Sequence, residues 1–245
     1  MHTFTLHKNI IAAAVTGMLI CPTISYADIV LSGTRVIYPQ ASKDVIVNME
    51  NRGNKPLLVQ SWIDDGRDTT NPQELKVPFV VTPPVSRVDP NKGQTLRITY
   101  MGAPLPQDKE SLFWLNVLEV PPKSGNANDK NLLQLAFRTR IKLLFRPEGL
   151  KGDPIDAIKQ LQWSLKKEGN TLFAVAKNNQ PWNVSISEGT ITSNKQHYSI
   201  DVKTVAPFSS QEMPVKGLNT LIAGTVNFKA INDYGGPVEQ ISRLN

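Results

Sequence analysis

The chain has 245 residues, 27 Lys+Arg against 21 Asp+Glu, and only one cysteine and three histidines. The basic balance permits nucleic-acid binding, but no aromatic-rich RNA-binding motif or zinc-finger spacing accompanies it, and an export signal argues against it. The lack of Cys and His removes most zinc chemistry.

Residues 1–27 read as an address. Lys8 is the only charge ahead of an apolar run from Ile10 to Ile20, which is too short to span a bilayer comfortably. Ser25-Tyr26-Ala27 then sets small residues at the two positions a signal peptidase reads. A signal peptide cleaved before Asp28 is expected, with a membrane anchor as the alternative. Ile20 is not the small residue that precedes a lipidated cysteine, so Cys21 does not mark a lipoprotein. Cleavage removes Cys21, His2 and His7, and the remaining chain must be held by its cores without disulfides. Residues 28–245 suffice for two domains of roughly 100–120 residues each.

The first of these, 28–147, reads as all-β. Asp28 to Tyr38 alternates and is β-branched; Lys43 to Glu50 follows, then a turn at Asn51-Arg52-Gly53-Asn54 and a hairpin partner from Leu57 to Ile63. Phe79 to Thr82 is broken by Pro83-Pro84, which cannot sit inside a central ladder and marks an edge, a corner or a sheet crossing. Thr95 to Tyr100 and Ser111 to Val120 come next, and the loop Pro121–Lys130 is polar and proline-led.

The seventh strand, Asn131 to Pro147, is the unusual one. Leu133, Leu135 and Phe137 alternate with polar or small residues, and Arg138, Arg140 and Lys142 then place cations at every other position. From the residues alone the three apolar side chains are either ordinary core or something offered to another molecule. Lys142 has the opposite parity to them, which a bulge between Arg138 and Ile141, or strand twist, would reconcile. Arg35 shares parity with Ile29, Leu31 and Ile37, so it reads as a charge on an apolar face, or else as a surface arginine.

Prolines and glycines between Arg146 and Pro154 suggest a hinge. Beyond it, 148–245 reads as a second β domain, with strands at Leu161–Lys166, Leu172–Lys177, Trp182–Ser187, Ser199–Thr204, Gln211–Val215 and Gly224–Ala230 and tight turns at Glu168-Gly169-Asn170 and Ile231–Gly236. Nothing positive points to an enzyme. His197 would be the only histidine for a Ser-His-Asp arrangement and has no motif around it. Asp64-Asp65 could supply half of a carboxylate site, but beside Gly66 they read as a strand end. There is no P-loop and no Gly-x-Gly-x-x-Gly stretch.

Four stretches in this order carry a resemblance: Thr82-Pro83-Pro84-Val85-Ser86-Arg87, Ser111-Leu112-Phe113-Trp114-Leu115-Asn116-Val117 through Pro122, Arg140 to Pro147, and Ile231-Asn232-Asp233-Tyr234-Gly235-Gly236. The chain resembles periplasmic pilus-assembly chaperones of the chaperone–usher pathway, the PapD-like family, in its short-loop branch. The resemblance implies two immunoglobulin-like β-sandwich domains arranged in an L, and a chaperone that folds and caps pilus (fimbrial) subunits by donor-strand complementation before delivery to an outer-membrane usher. It implies a periplasmic location, no cofactor, no ATP site and no enzymatic activity. Leu133, Leu135 and Phe137 become the donated side chains, each worth about 1.5–3 kcal/mol on full burial before ordering costs. Arg35 and Lys142 become the anchor for the subunit's terminal carboxylate, and Glu110, Arg146 and Asp233 a charged cluster between the domains. The exposed strand edge would be covered by a second copy in a self-capped homodimer. The alternative is a secreted two-domain β protein binding a glycan or another envelope protein.

Overall fold

The computed structural model describes residues 28–67, 74–122 and 135–244. Leu133, the Pro121–Lys130 loop beyond Pro122 and the expected signal peptide lie outside the described residues. Among the described residues no helix is long and apolar enough to cross a membrane.

The first unit runs through β1 (Ile29–Leu31), β2 (Arg35–Pro39), β3 (Asp44–Asn51), β4 (Leu57–Asp64), β5 (Phe79–Thr82), β6 (Val85–Val88), β7 (Gly93–Tyr100), β8 (Ser111–Val120) and β9 (Phe137–Arg146). One sheet has the order β1-β3-β7-β5, the other β2-β9-β8-β4-β6. All pairs are antiparallel except β2 with β9.

Two segments change sheet, and both change the sequence reading. Asp28 to Tyr38 is two strands joined by Ser32-Gly33-Thr34, β1 pairing with β3 and β2 with β9. Crossing between facing sheets inverts the side-chain parity. Ile29 and Leu31 point inward from β1, but Val36 and Tyr38 do so from β2. Arg35 is therefore on the outer face beside Ile37, not on the apolar face expected for it. The Pro83-Pro84 break is likewise a crossing: β5 pairs with β7, and β6, which the sequence reading lacked, pairs with β4. Prolines are tolerated there because the chain leaves one ladder before joining the next.

Inward residues of both sheets form one core, including Leu96, Ile98, Leu115, Leu143 and Phe145. Its end is aromatic. The Tyr100 and Phe145 rings lie 4.7 Å apart, and Phe79 meets Phe113 edge-on at 4.9 Å. The buried Tyr38 hydroxyl accepts the Tyr100 N–H at 3.0 Å and can donate to the carbonyls of Ser42 or Lys43, so the hydroxyl is not stranded.

The second unit opens with a short helix, α1 (Pro154–Lys159), just past the expected hinge, where the sequence analysis places no element. Asp153 caps it, its Oδ1 accepting the Ile155 N–H at 2.7 Å, and Ala157 and Ile158 are buried. The strands are β10 (Gln162–Glu168), β11 (Thr171–Asn178), β12 (Val184–Ser193), β13 (Gln196–Ser199), β14 (Thr204–Val205), β15 (Ser209–Pro214), β16 (Thr225–Ile231) and β17 (Pro237–Arg243). They form one sheet of order β10-β11-β15 and another of order β13-β12-β16-β17, with β14 on β12. The expected strand Ser199–Thr204 instead runs from the last residue of β13 to the first of β14, with 200–203 outside both. β17 escaped the sequence because its side chains alternate only between half-buried and exposed. A second core, from Ala157 to Ala230, shares no residue with the first.

Leu143 sits at the centre of β9 with no exposure. Leu143→Ala is expected to destabilise the protein by about 2–5 kcal/mol, as a buried cavity does. Urea unfolding checks this, and a loss under about 1 kcal/mol contradicts the placement of β9 as a core strand.

Candidate functional site

The site grows out of β9. Its ladder with β8 runs without a register shift from Ser111↔Phe145 to Glu119↔Phe137. No bulge separates Arg138 from Ile141, so the relief expected for the parity conflict is absent. Ile141, Leu143 and Phe145 enter the core on the parity of Leu135 and Phe137, while Arg138, Arg140, Lys142 and Arg146 occupy the outer face. One strand thus serves two faces at once.

The outer cations are seated on aromatic rings. The Arg140 guanidinium stands 4.5 Å from the Trp114 ring centre, and that of Arg138 5.3 Å from Trp62. Asp64 lies beneath both. Its carboxylate is 1% exposed and accepts from Arg140 Nε at 3.1 Å, from Asn116 Nδ2 at 2.7 Å and from the Gly66 N–H at 2.7 Å. Burial alone would raise its pKa; hydrogen bonds from Arg140, Asn116 and Gly66 outweigh that and hold it below the usual carboxylate range. Asp64, which read as a strand end, is the counter-ion of the cationic strand. Only its coincidence with β4 and β9, invisible in the sequence, reveals this.

Lys142 and Arg35 are brought together. They face each other in the parallel β2–β9 ladder. Lys142 Nζ donates to Ser185 Oγ at 2.7 Å and to Thr204 Oγ1 at 2.5 Å, two second-unit hydroxyls the sequence reading did not single out. Arg35 Nη1 donates to the Ile231 carbonyl at 2.8 Å, and its Nε is buried without a hydrogen-bond partner. Among the described residues neither cation forms an ion pair. Burial, and then the neighbouring Arg35 charge, lower the Lys142 pKa to about 8. Burial also lowers that of Arg35, against the pull of Asp233 and Glu110. Two half-buried cations thus stand side by side where the β2–β9 ladder ends.

Glu110, Arg146 and Asp233 also meet. Arg146 bonds Glu110 at 2.7 Å and Asp233 at 2.8 Å, and lies 4.8 Å over the Trp182 ring. The other Glu110 oxygen accepts the Asn183 N–H at 3.0 Å, so one oxygen serves Arg146 and the other crosses the joint. Burial would lower the Arg146 pKa, but its bonds to Asp233 and Glu110 hold it above the ordinary value. Asp233 is presented by the turn after β16, where Asn232 Oδ1 accepts the N–H groups of Tyr234 and Gly236. Gly235 has φ +83, and a Cβ there would approach Thr34 Oγ1 to 2.6 Å; glycine lets this turn rest against the residue before Arg35.

Leu135 and Phe137 are exposed, at 55% and 39%. Beyond Lys142 the β2 ladder is over, so among the described residues Phe137–Ile141 is paired with β8 alone. His197 is exposed, its ring nitrogen 3.1 Å from Thr192 Oγ1.

A two-sandwich chain joined by a charged cluster, with an extended strand edge ending at a pair of cations, defines an immunoglobulin-like assembly chaperone. Residues 28–151 match the N-terminal domain of the PapD pili and flagellar-assembly chaperones, and residues 156–242 match the C-terminal domain of PapD pili-assembly chaperones. The chain belongs to this family, whose role is assembly and not catalysis. It is 51% identical over 225 residues to the probable fimbrial chaperone YadV of Escherichia coli K12, covering 90% of this chain and 91% of that one. The crystal structure of the YadV chaperone superposes with a TM-score of 0.77 at 50% identity, covering 89% of this chain and all of that one. The chaperone FimB/FhaD of Bordetella pertussis is 45% identical over 214 residues, covering 86% and 85% of the two chains. The Salmonella enterica SafB chaperone, solved in complex with the SafA pilin, gives a TM-score of 0.73 at 29% identity, covering 91% and 99%. These matches do not favour a glycan-binding sandwich.

Removing Arg146 leaves the 1%-exposed Glu110 carboxylate uncompensated. Arg146→Ala is expected to lose about 3–5 kcal/mol of stability and to expose the 147–153 connection to protease. Denaturant unfolding with limited proteolysis checks both; wild-type behaviour in each contradicts a structural role for the cluster.

Proposed function

We propose that this protein is a periplasmic chaperone that caps pilus subunits by donating β9 and passes them to an outer-membrane usher. The observation that carries the reading is the unequal reach of β2 and β9. Past Lys142, the Phe137–Ile141 stretch has β8 on one side only among the described residues, and Leu135 and Phe137 stand exposed beside it. An extended edge with apolar side chains on one face suits strand addition to a sandwich that lacks a strand. The SafB relative, solved with a pilin, supports a pilus subunit as the partner.

In this reading Leu133, Leu135 and Phe137 enter the subunit's groove. Arg35 and Lys142 receive its terminal carboxylate at the point where the β2 ladder ends. A carboxylate there accepts charge-assisted bonds from both cations and fixes the register of the added strand. Ser185 and Thr204 hold the Lys142 ammonium toward that position. The Arg138–Asp64–Arg140 layer on Trp62 and Trp114 stiffens β9 from its outer face, so that the apolar face meets the groove already extended. Without a subunit, the same edge is open to a second copy of the chain, which supports a self-capped homodimer as the resting form. Delivery follows when a replacement strand fits the subunit better.

Co-purification with a cognate subunit tests the anchor. Arg35→Ala and Lys142→Ala are expected to fold normally and lose subunit recovery by tenfold or more; full recovery by the folded double variant contradicts it. The pH dependence has a definite sign. Lys142 titrates near 8 in the free protein, and the carboxylate binds only its charged form, so capture takes up a proton as pH rises through that value. Affinity is expected to fall about tenfold between pH 7 and pH 9, as one proton requires, and Lys142→Arg to flatten the profile. A wild-type profile flat across that range contradicts the role of Lys142.

A further inference from the structure

The β8–β9 ladder ends at the Glu119–Phe137 pair, and there a carboxylate turns inward. Glu119 is only 5% exposed. Its Oε2 accepts the Ile29 N–H at 2.8 Å, and the Asp28 N–H stabilises the charged form as well. Among the described residues no cation pairs with it. Burial, and then the Asp28 carboxylate, push its pKa above the usual range despite those two donors. A buried carboxylate held by backbone N–H groups but lacking a counter-ion is an incomplete arrangement.

The nitrogen beside it is held in place. The Asp28 carbonyl accepts the Arg52 N–H at 2.8 Å, Ile29 pairs with Asn51, and the Asp28 carboxylate packs so closely on Gly53 that a Cβ there would collide with it. The sequence also marks Asp28 as the first residue after signal cleavage. Hydrolysis of the Ala27–Asp28 bond by a signal peptidase gives the hydroxyl of water to the Ala27 carbonyl and a hydrogen to the Asp28 nitrogen. That nitrogen, now an amine, takes a second proton from solvent and becomes a primary ammonium.

We propose that Glu119 is the built-in acceptor for the Asp28 α-ammonium, so that removal of the signal sequence completes the first sandwich with a buried ion pair. Before cleavage the same nitrogen is an uncharged amide, and the Glu119 carboxylate has no counter-ion. The unprocessed chain is therefore the less stable one, which suits a protein that must cross a membrane before folding. Glu119 stands opposite Phe137, so the new ion pair also fixes the base of the exposed β9 edge.

The test compares exported protein with its native junction against protein carrying Ser-Gly between Ala27 and Asp28, each with Glu119 or with Glu119→Gln. Intact mass is expected to show the native mature chain beginning at Asp28; a different first residue overturns the proposal. At pH 7 the Ser-Gly extension is expected to lower Tm by several degrees with Glu119 present, and by much less in Glu119→Gln. Equal Tm values with and without the extension, or the same loss in both backgrounds, overturn it. As a readout independent of the variants, the α-amine of folded native protein is expected to resist acylation and to react on unfolding; rapid acylation of the folded protein overturns it.

Discussion

The parallel ladder between β2 and β9 stops at Arg35 and Lys142, and much of the molecule's organisation depends on where it stops. On one side of that point β9 is an interior strand, hydrogen-bonded to both neighbours, with Ile141, Leu143 and Phe145 in or entering the core. On the other side it continues, among the described residues, along β8 alone. The same backbone is thus a structural element at one end and an open edge at the other. An open edge is an aggregation hazard, and here the cations of the outer face are tied down instead of left to discourage pairing. Asp64, Asn116, Trp62 and Trp114 hold Arg138 and Arg140 flat on the sheet. That arrangement stiffens the strand and leaves its apolar face available.

The two sandwiches have separate cores, so their contact rests on few groups. Arg146, the last residue of β9, reaches Glu110 just before β8 and Asp233 in the turn after β16. A desolvated cluster of this kind adds little net stability over an apolar contact, but it penalises any geometry that separates its members. The adjacent Lys142–Ser185 and Lys142–Thr204 bonds and the Arg35–Ile231 bond cross the same joint. The candidate anchor and the joint are therefore one layer of side chains, and the docking proposal needs both units present.

The all-β class and most strands were legible because alternating, β-branched runs and turn residues are local signals. Most strand centres fell where alternation placed them, from Asp44–Asn51 to Ser111–Val120. Sheet crossing was not local. Nothing in Ser32-Gly33-Thr34 announces that the chain changes sheet, and so Arg35 read on the wrong face. β6 and β17 were missed for a related reason: β6 is four residues long and β17 alternates only between exposed and half-buried positions, so each carries a weak alternation signal. The charged cluster and the Arg35–Lys142 pair came from the family resemblance, and the structure brings both sets of residues together. Asp64, Ser185 and Thr204 had no sequence signal, since each matters only through residues more than forty positions away. The parity conflict between Phe137 and Lys142 was read correctly as a conflict, but it needs no bulge. The two halves of the strand simply face different sides, as an unbroken ladder requires.

The central claim is that β9 pairs by its backbone with an incoming subunit. Residue-resolved amide hydrogen exchange, measured on the free chaperone and on its complex with a cognate subunit, tests it most directly. Strand addition predicts new protection at alternate amides between Phe137 and Ile141, with the amides of Leu143 to Arg146 already protected in both states. Protection that appears elsewhere on the surface while the Phe137–Ile141 edge exchanges as in the free protein would contradict the account.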